Sequence, residues 1–195
     1  MQVINFPRGL WNIISRNSLY RREEFMMPKT SLIIASLLAA LPIAAYAQTP
    51  STYVATAGAG DLFEQTSSKL VLRTTKDAKV RSFATMMVRD HAKSTAMVKA
   101  AALKAGVKAA PPQMSADQKS KIAALTDASG KGRDQLYWQQ QKAAHKEALA
   151  LHQGYASTGS AAPLKAAAAQ IVPVVQHHLQ MLDSGGTHDS AKHKD

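Results

Sequence analysis

Three histidines and one glutamate stand where helix periodicity would turn them toward a protein interior. From residue 80 onward, Val80, Ala84, Met87, His91, Ser94, Val98, Ala101 and Ala105 recur at alternating steps of four and three. That is one face of a long helix, with His91 at its middle. Near the C-terminus, Leu164, Ala168, Ile171, Val175, His178 and Leu182 repeat the same spacing. His178 therefore sits on a seam, and its neighbour His177 points about 100° away. Between these segments two registers compete. Trp138, Gln141, His145, Ala148 and His152 form one face; Tyr137, Gln141, Ala144, Ala148, Leu151 and Tyr155 form the other. Glu64 lies beside an apolar stripe of Ala59, Phe63, Leu70 and part of Val71. An unpaired buried polar group costs about 1–3 kcal/mol, so these side chains need partners. One answer is a metal ion: three nitrogens and one oxygen from Glu64, His91, His145 and His178 suit Zn, Cu or Fe. The other is a hydrogen-bond network of Glu64, the histidines and Asp90 without metal. Asp90 and Met87 would stand just behind the ligands. Met87 lies one turn before His91, and a thioether suits Cu(I), although Met at helical spacing also serves as core filler.

Other chemistry is poorly represented. A ferritin-type di-iron centre needs about four carboxylates and two Glu-x-x-His pairs. Beyond residue 47 there are only two glutamates, Glu64 and Glu147, followed three residues on by Ser67 and Ala150. No Gly-x-Gly-x-x-Gly, P-loop or His-Glu-x-x-His motif occurs, and no serine sits in a nucleophile elbow. The absence of cysteine among 195 residues rules out disulfides, thiolate zinc sites and a cysteine nucleophile. A non-enzymatic protein is the leading expectation.

The elements needed to hold these residues can be read from breakers and caps. A first helix is expected over Ser51 to Thr75, with Gly58 and Gly60 weakening its first half. Asp77 caps a second, Ala78 to Ala105, ended by Gly106; Pro111-Pro112 enforce a loop. Ser115-Ala-Asp-Gln118 is a capping box for a short helix to about Leu125. Ser129-Gly130 and Gly132 interrupt the chain before a helix from about Arg133 to Tyr155. Pro163 suits the first turn of a last helix reaching about Leu182, with a kink expected at Pro173. No alternating strand pattern is present. An all-α, ferritin-like four-helix bundle with one short extra helix follows, occupying residues 48–184.

Residues 1–47 read as a Sec-type signal. Lys29 precedes a 15-residue apolar run, Ser31 to Ala45, and Ala45-Tyr46-Ala47 makes a cleavage site. The run is short for a membrane span. Translation is expected to start at Met26 or Met27. Cleavage would leave a periplasmic or secreted protein, and residues 185–195 form a polar tail expected to be disordered.

Several stretches carry a family likeness: Gly60-Asp-Leu-Phe-Glu64, Val80-Arg-Ser-Phe-Ala-Thr-Met-Met-Val-Arg-Asp-His91, Ala102-Leu-Lys-Ala-Gly106, Asp134-Gln-Leu-Tyr-Trp-Gln-Gln-Gln-Lys-Ala-Ala-His145 and Val172-Pro-Val-Val-Gln-His-His178-Leu. Over roughly residues 52–183 the chain resembles a bacterial ferritin-like family of exported helical proteins. The family is a domain of unknown function whose members are often labelled candidate outer membrane proteins. The resemblance implies a helical bundle in the cell envelope, with Glu64, Asp90, His91, His145 and His178 where the family has Glu, Asp-His, His and His. Members often carry a second acidic residue two positions after the Glu, where this chain has Thr66.

The charge bears on partners. Residues 1–47 hold five of the 24 basic and two of the 13 acidic residues, leaving the other 148 with a net charge of +8. Lys69, Arg73, Lys76, Lys79 and Arg81, with Lys93, Lys99, Lys104 and Lys108, are expected to make one end of the first two helices basic. Such a surface keeps a protein in solution and could meet an anionic envelope component such as lipid headgroups, lipopolysaccharide or acidic polymers. No nucleic-acid recognition motif occurs, and nucleic acid is not an expected partner. The functional expectation is a role in envelope stress or metal homeostasis. The alternative is a non-catalytic structural or interaction module.

Overall fold

Local chemistry sets where each helix begins. Thr49 accepts a hydrogen bond from the Thr52 amide, Pro50 opens the first turn, and α1 runs Pro50–Leu72. The Asp77 carboxylate accepts from the amides of Lys79 and Val80 and starts α2, Ala78–Lys104. Ser115 and Gln118 close the expected capping box on α3, Ala116–Asp127. α4, Gly130–Thr158, begins a turn earlier than expected. Gly130 and Gly132 fall inside it because Arg133 anchors that turn, donating to the Ala128 and Thr126 carbonyls and to Thr74. α5, Ala162–Gly185, outlasts the expected boundary. Its last residue, Gly185, lies so close to the Trp138 ring that a Cβ would sit 3.2 Å from it. α5 also runs through Pro173, whose exposed position lets the carbonyl it orphans face water. This computed structural model describes residues 48–185; residues 1–47, where a Sec-type signal was expected, and residues 186–195, expected as a disordered tail, lie outside the described residues. Among the described residues there is no strand, and no helix is long and apolar enough to cross a membrane.

The four long helices form the bundle, with α3 as the short extra one. α1 packs on α2, α4 on α5, and the two hairpins meet through α1–α4 and α2–α5. Tyr53, near the start of α1, bonds His152, near the end of α4; Ser68, near the end of α1, bonds Tyr137, near the start of α4. α1 and α4 are therefore antiparallel, and α2 and α4 run the same way. The chain must travel back along the bundle between them, and residues 105–129, with α3, make that crossover. Pro112 rests on Gly58 on the way, where a Cβ would come within 3.2 Å of the proline ring. Gly58, expected to weaken α1, is the small residue that seats this strap.

The interior is layered. One apolar cluster holds Tyr53, Val54, Ala57, Val98, Ala101, Tyr155, Leu164, Ile171 and Val175. A second holds Leu70, Val71, Val80, Phe83, Met87, Leu125, Tyr137 and Leu182. Between them the helices contribute buried polar residues: Asp61, Glu64 and Ser67 from α1, His91 and Ser94 from α2, Gln141 and His145 from α4, and His178 from α5. Burying an apolar side chain is worth about 1.5–3 kcal/mol, so the two clusters carry the cost of the polar layer between them.

One expectation about charge is corrected. Lys69, Arg73, Lys76, Lys79 and Arg81 flank the α1–α2 turn, but Lys93 lies near the middle of the 27-residue α2, Lys99 and Lys104 in its far part and Lys108 just past its end. At 1.5 Å per residue Arg81 and Lys99 are about 27 Å apart along the axis, so basic charge is not confined to one end.

Candidate metal centre

The expected interior residues meet in the polar layer. His91, His145 and His178 are 6%, 0% and 2% exposed, and Glu64 is 2% exposed. The α4 ambiguity resolves into a blend of both registers: Tyr137, Gln141, His145, His152 and Tyr155 are all buried. On α1 the interior side is more polar than the expected stripe, because Asp61 and Glu64 are buried and Ala59 is only half-buried.

The three imidazole rings form a triangle. Their centroids are 5.4 Å apart for His91–His145, 5.3 Å for His145–His178 and 5.9 Å for His91–His178. Rings bonded to one ion through bonds of about 2.0–2.1 Å have centroids roughly 5 Å apart. One ring nitrogen from each histidine lies within 4.8 Å of the others. His145 Nε2 and His178 Nδ1 are 3.2 Å apart, close to the ~3.3 Å separation of two ligands in a tetrahedral site.

The outer nitrogen of each ring is engaged. His91 Nδ1 donates to Asp61 Oδ1 at 2.8 Å, and the other Asp61 oxygen accepts from Thr95 Oγ1 at 2.9 Å. His145 Nδ1 donates to the Gln141 carbonyl at 2.9 Å. His178 Nε2 donates to Asp90 Oδ2 at 3.1 Å. Each acceptor fixes a tautomer, leaving the lone pairs of His91 Nε2, His145 Nε2 and His178 Nδ1 on the inner side. His91 Nε2 is buried and makes no hydrogen bond. Both Glu64 oxygens are likewise buried without a hydrogen bond, although Oε1 comes within 3.3 Å of His145 Nδ1 as an ionic contact.

Burial opposes a charge on Glu64, but the neighbouring imidazoles of His145 and His91, with Gln141, outweigh it and hold the carboxyl below its usual range. His91 is likewise disfavoured as a cation by burial, yet Asp61, Glu64 and Asp90 raise it. His178 is pushed down to about 4 by burial and by His145, against the pull of Asp90. The polar layer thus favours Glu64 as a carboxylate, His178 as a neutral imidazole and His91 as a cation.

Asp61 was absent from the expected site. The signal was its position three residues before Glu64, which places both on one helical face. Asp90, expected just behind the ligands, is there and holds His178. Met87 is fully buried in the apolar cluster one turn before His91. His152 stands apart from the triad, with Nδ1 2.9 Å from the Tyr53 hydroxyl. His177 is exposed, as expected.

Residues 36–184 match the family described as Domain of unknown function (DUF4142), and the chain belongs to that family. Its structure is similar to a DUF305 fragment from Deinococcus radiodurans, with a TM-score of 0.61 at 14% identity, covering 70% of this chain and 93% of that one. It is also similar to a candidate secreted DUF305 protein from Streptomyces coelicolor, with a TM-score of 0.56 at 17% identity, covering 71% and 92%. At these identities the likeness concerns the fold. No curated protein matched the chain.

Proposed function

We propose that this DUF4142 protein binds one transition-metal ion inside its bundle, through His91, His145, His178 and Glu64, and serves metal homeostasis or stress defence in the cell envelope. The observation that carries the reading is three buried imidazoles, each with one nitrogen within 4.8 Å of the others. His91 Nε2 is buried without a hydrogen bond beside two further imidazole nitrogens 3.2 Å apart, and the buried Glu64 carboxylate stands next to His145, its Oε1 3.3 Å from Nδ1. A cation supplies the converging nitrogens with a partner. Three imidazoles and one carboxylate favour a borderline ion, Zn(II) or Cu(II) with Fe(II) next, over Mg or Ca. With four protein ligands the site is closed, which suits holding an ion rather than activating water. The Streptomyces coelicolor relative's description as a candidate secreted protein supports an envelope location.

A metal-free reading has its own observation. A single proton between His145 Nε2 and His178 Nδ1 would serve both nitrogens at their 3.2 Å separation. Metal analysis separates the two. The test uses untagged protein carrying His188→Ala and His193→Ala, so that the tail contributes no imidazole. One ion per chain is expected. Free metal at a hundredfold over Kd should stabilise the fold by about 2.7 kcal/mol, raising Tm by roughly 10 °C. No bound ion and no shift with Zn, Cu or Fe would leave the hydrogen-bonded structural module.

A further inference from the structure

We propose that Asp90 is the mouth of this centre and that Arg89 is its removable stopper: an ion reaches the imidazoles by displacing the guanidinium from the Asp90 carboxylate. The inference rests on the metal-binding reading above and adds to it a way in.

The centre is sealed almost everywhere. Asp61, Glu64, His91, His145 and His178 are each 6% exposed or less. Phe83 closes one side, its ring centroid 6.3 Å from His145 and 6.4 Å from His178, and an apolar cluster closes the other. Two residues of the hydrogen-bonded network reach toward water. Thr95 carries only a neutral hydroxyl, already given to Asp61 and to the His91 carbonyl. Asp90 carries a negative charge, its side chain is 18% exposed, and it touches a ligand ring directly.

His178 connects this carboxylate to the interior. Nε2 faces Asp90 at 3.1 Å, and Nδ1 on the opposite side of the ring faces His145 at 3.2 Å. An ion captured at Asp90 is thus one imidazole away from its final ligands.

The carboxylate is occupied. Arg89 Nε donates to Asp90 Oδ1 at 2.8 Å and Nη2 to Oδ2 at 3.2 Å, a two-point contact. The Arg89 side chain is 73% exposed. Being adjacent in sequence and mostly in solvent, it can swing away by side-chain rotation while the α2 backbone stays fixed. A divalent cation competes for the same oxygens with twice the charge. Capture is ligand exchange: water leaves the ion, the guanidinium leaves the carboxylate, and no covalent or redox step is involved.

Because an exposed ion pair is worth only a small factor, the stopper should slow traffic rather than block it. Stopped-flow loading of Zn(II), followed with a chromogenic chelator as competitor, tests this on the full chain with His188→Ala and His193→Ala. Arg89→Gln should load and release zinc roughly two- to fivefold faster, with Kd within twofold of the parent. Arg89→Lys, which keeps the charge, should stay nearer the parent. Asp90→Asn should slow loading by about tenfold or more, since the attracting charge is gone. If Arg89→Gln loads at the parent rate and Asp90→Asn changes only release, Asp90 merely orients His178 and the proposal falls. If the parent binds none of Zn, Cu or Fe, the metal-binding reading falls and takes this one with it.

Discussion

Each imidazole of the triad is held through one ring nitrogen. His91 depends on Asp61, His145 on the Gln141 carbonyl and His178 on Asp90. Partners of this kind orient the ring and raise its basicity, and their loss typically costs 10–100-fold in affinity. Asp61→Ala should therefore weaken Zn(II) binding by about that factor in a competition titration while the helical circular dichroism stays intact. Unchanged affinity would mean His91 is not a ligand. Asp61 also shows how residue-scale chemistry escapes a sequence. Its spacing from Glu64 marks the face the two share, but nothing local names its partner, since Thr95 lies 34 positions away. His152 supplies a separate test. Burial above all, with His91 adding and Asp61 opposing, lowers its pKa from 6.5 to about 4. Between those values the unfolded chain takes up a proton that the folded one refuses, so stability falls as pH falls through that window. The loss reaches on the order of 3 kcal/mol at pH 4. With EDTA present, Tm should drop from pH 7 to pH 5, and His152→Gln should reduce that slope without abolishing it, because His178 is lowered to about 4 as well. Parallel slopes for the two proteins would contradict the assignment.

At the scale of elements, the centre is a polar layer threaded through four helices at matching heights. The α2 and α5 seams were legible because a strict four-three repeat of apolar residues runs on both sides of His91 and His178. α4 was less so: its buried face, Tyr137, Gln141, His145, His152 and Tyr155, drifts between the two registers its sequence offers. On α1 the expected Phe63, Leu70 and Val71 are buried, but so are Asp61, Glu64, Ser67 and Ser68, which hydropathy alone does not mark. The start of α4 was misjudged because the Arg133 contacts that anchor it reach Thr74, 59 residues away. Loop geometry matters as well. At Gly159, just past α4, a Cβ would sit 2.6 Å from both the ring and the carbonyl oxygen of Tyr155. Tyr155 in turn stacks on Tyr53 at 3.9 Å. Gly159→Ala should destabilise the fold by about 1–3 kcal/mol and alter the near-ultraviolet tyrosine signal. Zinc affinity should stay within a few-fold, because that stack belongs to the apolar cluster and not to the polar layer. A stability equal to the parent's in urea titration would show that the helix end relaxes freely.

For the whole molecule, the crossover makes the centre possible. It sets α2 and α4 parallel across a diagonal, so that His91 and His145 meet midway along the bundle while α5 returns to deliver His178. Four helices and their order of caps were readable in the sequence; the handover from α2 to α4 along α1 was not, since it depends on Pro112 finding Gly58. Two apolar clusters, one on each side, keep the polar layer dry and stiff. Basic charge is spread along the bundle: Lys69 to Arg81 at one end, Lys99 and Lys104 toward the other, and Arg89, Lys93, Lys142 and Lys146 in the stretches of α2 and α4 that carry His91 and His145. The central claim is that the three rings and Glu64 converge on an ion. X-ray absorption on zinc-loaded protein with the tail histidines replaced tests it most directly. The expected result is one zinc per chain bound by three imidazole nitrogens and one carboxylate oxygen, at about 2.0–2.1 Å. That signal should be lost on replacing His145 with Gln. A zinc bound mostly by water, or one unaffected by the His145 replacement, would contradict it.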